Sequence, residues 1–206
     1  MLKRAFSAGA IVVLFAGISM AQDFGRFDVS VAWGGALSHT ANASTSNVSV
    51  ESTSSPLLLG SFRLRFNQTH AIMINLGRTL DSQIYVLPPD NYRVKTTILE
   101  YSGAYVLSPF HFEKLEPFLF AGGGALRFTP GNMYIDGAPA SFGAAQQTSM
   151  AFLYGGGVDY SVWKRLGVRL QYRGLVYKEP TFHLTQFFTA ARGHVPEASL
   201  GIVFKF

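Results

Sequence analysis

The feature that most constrains this chain is alternation: short segments in which every second residue is apolar recur about eight times along it. In the last of them Ala198, Leu200, Ile202, Phe204 and Phe206 share one face, and Ser199, Gly201, Val203 and Lys205 share the other. Leu166, Val168, Leu170, Tyr172 and Val176 oppose Arg169, Gln171 and Arg173, and Phe152, Tyr154, Val158, Tyr160 and Val162 oppose Asp159 and Ser161. Phe118, Phe120, Leu126 and Phe128 are read as the outward face of their segment, with Arg127 turned inward. Earlier, Thr97, Leu99, Tyr101, Tyr105 and Leu107 oppose Glu100 and Ser102, and Leu58, Phe62, Leu64 and Phe66 oppose Ser61, Arg63 and Arg65. Phe27, Val29, Val31 and Trp33 oppose Asp28 and Ser30. Ile72, Ile74 and Leu76 oppose Met73, Asn75 and Gly77, with Arg78 falling on the apolar face at its outer edge. A period of two is that of a strand, one face in an apolar medium and the other on something polar.

The connections between these segments alternate in length. Residues 38–56, 81–92, 130–148 and 178–196 are long and polar or turn-rich, while Asn67-Gln68-Thr69 and Trp163-Lys164-Arg165 are tight and Ser108 to Glu116 is intermediate. A soluble sandwich has no reason to produce this asymmetry, whereas a membrane barrel has short turns at one end and long loops at the other. With 48% hydrophobic residues, yet no apolar run after the N-terminus long enough to cross as a helix, the apolar faces are expected to meet lipid. Aromatic residues near strand ends read as two interfacial girdles, Phe27, Tyr105, Phe110, Phe112, Phe118, Tyr160, Trp163 and Phe206 at the short-turn end and Trp33, Phe128, Phe152 and Tyr177 at the other.

The N-terminus reads as an export signal: Lys3 and Arg4, an apolar and small run from Ala8 to Ile18, then Ser19-Met20-Ala21 as a cleavage site. The expected division is a signal peptide over 1–21 and one barrel domain over 22–206. Removing the signal leaves 15 basic residues against 12 acidic, a net +3 too mild to argue for nucleic acid. There is no cysteine, so no disulfide, thiolate metal site or acylated anchor.

The motifs Pro117-Phe-Leu-Phe-Ala-Gly-Gly-Gly-Ala-Leu-Arg-Phe128, Tyr154-Gly-Gly-Gly-Val-Asp-Tyr160, Gly167-Val-Arg-Leu-Gln-Tyr-Arg173 and Ala198-Ser-Leu-Gly-Ile-Val-Phe-Lys-Phe206 carry a family resemblance. In that order the chain resembles the small outer-membrane barrels whose type is the OmpA transmembrane domain, with OmpX- and OmpW-like relatives. The resemblance covers essentially the whole mature chain. It implies an all-β, closed up-and-down antiparallel barrel of about eight strands in the bacterial outer membrane, long loops outside and short turns in the periplasm. It further implies that the barrel-assembly machinery reads the terminal strand, which Ile202, Phe204 and Phe206 match, and that outer-membrane lipid and lipopolysaccharide surround the barrel. The sequence ends at Phe206, so no peptidoglycan-binding domain is expected after it.

The candidate site is the set of charges assigned to the lumen: Asp28, Arg63, Arg65, Glu100, Arg127, Asp159, Arg169, Arg173 and Lys205. An eight-stranded barrel is just wide enough for its own side chains, and charges there must pair or hold water. The reading carried forward is a polar plug in a barrel with a structural or surface-interaction role and no cofactor. The alternative is a narrow channel for small solutes, anion-leaning because six bases face three acids. A third reading, a lipid A-modifying enzyme, meets the absence of the His-x-Ser pair that deacylases of this kind carry. The histidines, His39, His70, His111, His183 and His194, read as solvated. The glycine runs 122–124 and 155–157 lack the helix and Lys-Ser/Thr of a phosphate loop and read as sites of close packing.

Four further expectations concern placement. Asp159 should meet Arg169 across the tight turn. Asp28 and Lys205 should be neighbours across the closing seam as a partly hydrated rim pair, much weaker than Asp159–Arg169. Residues 39–55, rich in Ser, Thr and Asn, read as a flexible surface loop, with Asn42-Ala-Ser and Asn47-Val-Ser matching a glycosylation pattern by chance. In 178–196, Phe182, Leu184, Phe187 and Phe188 could contact a partner, lie on lipopolysaccharide or fold over the barrel mouth.

Overall fold

The computed structural model describes residues 26–206 except 38, 43–48, 88–89, 142 and 185–191. The expected export signal, Asn47 of the first loop, and Phe187 and Phe188 of the last lie outside the described residues. The strands are β1 (Phe27–Ala36), β2 (His39–Asn42), β3 (Ser49–Ser52), β4 (Ser55–Arg65), β5 (His70–Leu87), β6 (Asp90–Leu107), β7 (Leu115–Ile135), β8 (Ala138–Ala140), β9 (Gln147–Ser161), β10 (Leu166–Lys178) and β11 (Arg192–Lys205).

Eight of them close on themselves in the order β1, β4, β5, β6, β7, β9, β10, β11, every neighbour antiparallel, with β1 pairing back onto β11. Closure leaves the barrel no edge, the only form in which strands satisfy every backbone group in an apolar solvent. The exterior is correspondingly apolar: Val31, Trp33, Leu76, Leu119, Leu170, Leu200 and Ile202 are all more than half exposed. Packing cannot account for such a belt, because large side chains left outside in this number imply a surrounding apolar phase.

Two expectations about the connections change. Residues 81–87 and 90–92 are strand and not loop: β5 runs on to Leu87 and β6 starts at Asp90, each 18 residues long, and β7 reaches 21. A strand crosses a bilayer in roughly 9–11 residues, so these three project well beyond the belt. Asp136 and Gly137, both at positive φ, form the two-residue turn from β7 to β8. Within 39–55, His39–Asn42 and Ser49–Ser52 pair with each other as β2 and β3, and β3 pairs with β5.

The third change concerns β7. Phe118, Phe120, Leu126 and Phe128 are buried in the lumen, and Leu119 and Arg127 are exposed outside. Both faces of this segment are apolar, and each carries one charge, Glu116 on one and Arg127 on the other, so alternation alone does not choose. The glycines do. Phe118 stands opposite Gly157 and Phe120 opposite Gly155 on β9, and a Cβ at either glycine would lie 2.6 Å from the facing ring. The rings therefore lie inward, in space the glycines leave free. Phe118, Phe128 and Tyr177 are accordingly lumen residues and not members of the girdles.

Candidate functional site

The lumen is filled in two storeys. The lower one, towards the short turns, is an ion-pair network assembled from six strands. Asp28 of β1 accepts hydrogen bonds from Arg63 Nε (2.6 Å), Arg169 Nη2 (3.0 Å) and Arg65 Nη2 (3.3 Å). Asp159 of β9 accepts from Arg169 Nε (2.7 Å) and Nη2 (2.9 Å) and from Arg63 Nη2. Arg169 also donates to Ser30 Oγ (3.0 Å). Asp28, Arg63, Asp159 and Arg169 are each at most 1% exposed. The Phe118 ring lies 5.2 Å from both guanidinium carbons, at cation–π distance, which is what its inward turn provides. At the rim Arg65 pairs with Glu116, and Lys205 Nζ reaches Glu116 Oε2 (3.2 Å) and Ser161 Oγ (3.4 Å).

Arg173 heads a second polar layer above. Its Nη1 and Nη2 donate to the two oxygens of Glu100 (3.0 and 2.6 Å), and its Nε lies 2.5 Å from Glu197 Oε2. Ser102 donates to Glu100 (2.6 Å), Asn75 to Ser102 (3.2 Å) and Ser61 to Asn75 (2.8 Å), so hydrogen bonds run on around the wall to β4.

The upper storey is mainly apolar. Leu126, Phe128, Leu153, Leu175, Tyr177 and Val195 pack there, and residues 180–184 fold in over them. Phe182 is fully buried, edge-on to Tyr85 at 6.4 Å. Tyr85 donates to Pro180 O (2.7 Å), and Gln147 Oε1 accepts from the backbone N–H groups of Thr181 and Phe182 (2.9 and 2.8 Å). Phe182 and His183 hold positive φ of 51° and 63°, which a phenylalanine adopts only when its surroundings dictate it. Of the three fates open to the last loop, its described part takes the third and caps the mouth. Between cap and Arg173 layer lies a cavity of about 20 Å³ lined by Asp81, Glu100, Tyr177 and Glu197, room for about one water molecule.

Of the nine predicted lumen charges, eight point inward and Arg127 does not; it is exposed outside and donates to Gln146 Oε1 (2.8 Å). Glu116 and Glu197 were missed, although Glu197 continues the inward parity of Ser199 and Gly201. With Arg127 gone, the inward bases Arg63, Arg65, Arg169, Arg173 and Lys205 face Asp28, Glu100, Glu116, Asp159 and Glu197, with Asp81 and Glu179 buried nearer the mouth. The positive excess behind an anion-leaning channel is therefore absent. Asp28 and Lys205 are register partners across the seam, but the lysine serves Glu116 while Asp28 is buried among arginines, so no weak rim pair joins them. Ile202 and Phe204 face outward, and Phe206 packs on Phe204 at 4.8 Å. His70 and His194 share hydrogen bonds with Tyr105 (2.5 Å) and Tyr154 (2.7 Å) on the outer face, and His111 contacts Gln68 O (2.6 Å), so none of these three is merely solvated.

A closed eight-stranded barrel with an apolar exterior and a packed polar interior has the fold of the small transmembrane barrels of bacterial outer membranes. Among solved structures the chain is similar to Neisserial surface protein A, at 18% identity and a TM-score of 0.58, over 90% of this chain and all of that one. It is similar to the N-terminal β-barrel domain of OprF from Pseudomonas aeruginosa, at 15% and 0.53, over 89% of this chain and all of that domain. It is also similar to Ail, the attachment invasion locus protein of Yersinia pestis, at 10% and 0.51, over 88% of this chain and 99% of that one. No protein-family model and no curated protein sequence matches the chain.

Proposed function

We propose that the protein is a non-enzymatic barrel of the bacterial outer membrane whose lumen is a structural seal and whose role is played at its surface. The observation that carries this is the lumen itself, in which Arg63, Asp159, Arg169 and Arg173 below and Phe128 and Phe182 above are all at most 1% exposed. Such a filling holds eight strands in register and, among the described residues, leaves no path for a solute. What remains available is the exterior, above all the strands β5, β6 and β7 that rise past the apolar belt. In this reading the long-loop end faces outward from the cell, and the terminal strand with Ile202, Phe204 and Phe206 serves barrel assembly.

The chain has no cysteine, so single cysteines report topology cleanly. Asn132 on projecting β7 and Lys164 in the tight β9–β10 turn are both exposed. In whole cells an impermeant maleimide should label Asn132→Cys strongly and Lys164→Cys only after the outer membrane is breached. Labelling of Lys164→Cys alone in intact cells would invert the orientation, and recovery of the protein outside the outer-membrane fraction would remove the reading.

A further inference from the structure

The outer face of β5, β6 and β7 just above the apolar belt collects cations that nothing in the lumen explains. Register places Arg78, Leu99 and Arg127 side by side across the three strands. Neighbouring strands lie about 4.8 Å apart, so the two arginines flank Leu99 with roughly 10 Å between their Cα atoms. Four residues further along β6, about 13 Å higher, stands Lys95, and Arg93 follows it on the same face. All four cations are exposed, and none has a carboxylate within ion-pair distance among the described residues. The Lys95 ammonium lies 5.5 Å from the centre of the Tyr134 ring. Arg93, Lys95 and Tyr134, with Asp136, line a surface groove of about 560 Å³, and the Asp136 carboxylate is already engaged by Asn91 N–H (2.9 Å).

Leu99 lies between the two arginines, and below them the same face is apolar, through Leu76 and Tyr101. Among the described residues the opposite side of the barrel has no such arrangement. There Tyr172, Val176, Phe152, Leu200 and Trp33 continue the belt, and cations return only with Lys178 and Arg192 at the very end of the β10–β11 pair.

We propose that this face is a binding site for a membrane lipid with a phosphorylated headgroup, held by Arg93 and Lys95 above and by Arg78 and Arg127 at the belt, its acyl chains lying on Leu76, Leu99 and Tyr101. Charge complementarity and the position of the cations at the top of an apolar face identify the occupant. A free phosphate would use the cations but not the apolar wall, and a neutral lipid would use the wall but not the cations. The upper pair stands roughly 13–20 Å above the lower, too far for a single phosphate to bridge, so the site suits a headgroup carrying two. The proposal rests on the membrane reading above.

The test is refolded barrel in phosphatidylcholine nanodiscs, titrated with bisphosphorylated lipid A, with its dephosphorylated form and with inorganic phosphate, bound lipid being counted by native mass spectrometry. Arg93→Gln/Lys95→Gln should weaken lipid A binding by about tenfold or more, because charge-assisted contacts to phosphate are lost, and leave the dephosphorylated form unchanged. Lys178→Gln/Arg192→Gln removes as much charge from the same end and should leave lipid A binding within about twofold, a change worth under half a kilocalorie per mole. Equal weakening by both pairs would reduce the effect to general attraction and overturn the site, as would equal binding of the dephosphorylated lipid or competition by inorganic phosphate at the lipid's own concentration. Failure of the membrane reading shows separately, as failure of the barrel to fold into phosphatidylcholine vesicles in heat-modifiable form.

Discussion

The two storeys of the lumen are closed by different means. Below, Asp28 and Asp159 are each gripped by Arg63 and Arg169, so strands β1, β4, β9 and β10 are tied across the bore by groups on rigid neighbours in fixed register. Above, the seal is residues 180–184, which belong to no strand and are held by Tyr85, Gln147, the Ala145 N–H on Phe182 O and the burial of one ring. The lower closure cannot open without breaking the barrel. The upper one can open alone, because local segments with few hydrogen bonds unfold at a fraction of the global cost.

The largest expected effect tests the lower storey. Asp159→Ala leaves two buried guanidiniums short of their partner and should lower stability by about 3–5 kcal/mol, read from urea unfolding in lipid vesicles. Asp28→Ala should cost a comparable amount, because Asp28 is equally buried and equally shared. A loss below about 1 kcal/mol for Asp28→Ala would mark it as the partly hydrated rim residue that its place at the start of its segment suggested.

Phe182→Ala tests the upper storey. Truncating a buried phenylalanine in a closed core costs about 3–5 kcal/mol, but a cap that opens by itself should show the loss locally. Amide exchange at 180–184 should speed up markedly while the urea midpoint moves less than in Asp159→Ala. A midpoint shift as large as that of Asp159→Ala would make the cap part of the cooperative barrel and erase the distinction between the storeys.

The smallest effect belongs to the rim. Lys205 and Glu116 are 18% and 11% exposed, so Lys205→Ala should change stability by only about 0–1 kcal/mol. A loss approaching that of Asp159→Ala would extend the ion network to the barrel's lower edge.

Much of the barrel was legible because a period of two admits few interpretations and a one-residue slip would turn every side chain of a strand over. Thus the inward placement of Asp28, Arg63 and Arg169 follows from their apolar neighbours on either side. β7 was not legible, because Phe118 and Leu119 are equally apolar and the choice is made by Gly155 and Gly157 on the next strand, a contact between segments. Glu116 and Glu197 were lost for a related reason, since they sit at or beyond segment ends judged by local pattern. The inward fold of Phe182 depends on Gln147 and Tyr85, far away in the chain, and no periodicity reports that.

The central claim, that the lumen is a seal, is tested most directly by conductance. Purified protein refolded and inserted into a planar bilayer in molar potassium chloride should show no stable current steps, although heat-modifiable migration certifies it as folded. Asp28→Ala and Phe182→Ala should conduct no more than the parent when introduced singly, because each opens only one storey. Steady, reproducible single-channel steps from the unaltered protein would contradict the account, since the buried arginines and fully buried Phe182 leave no route for an ion among the described residues.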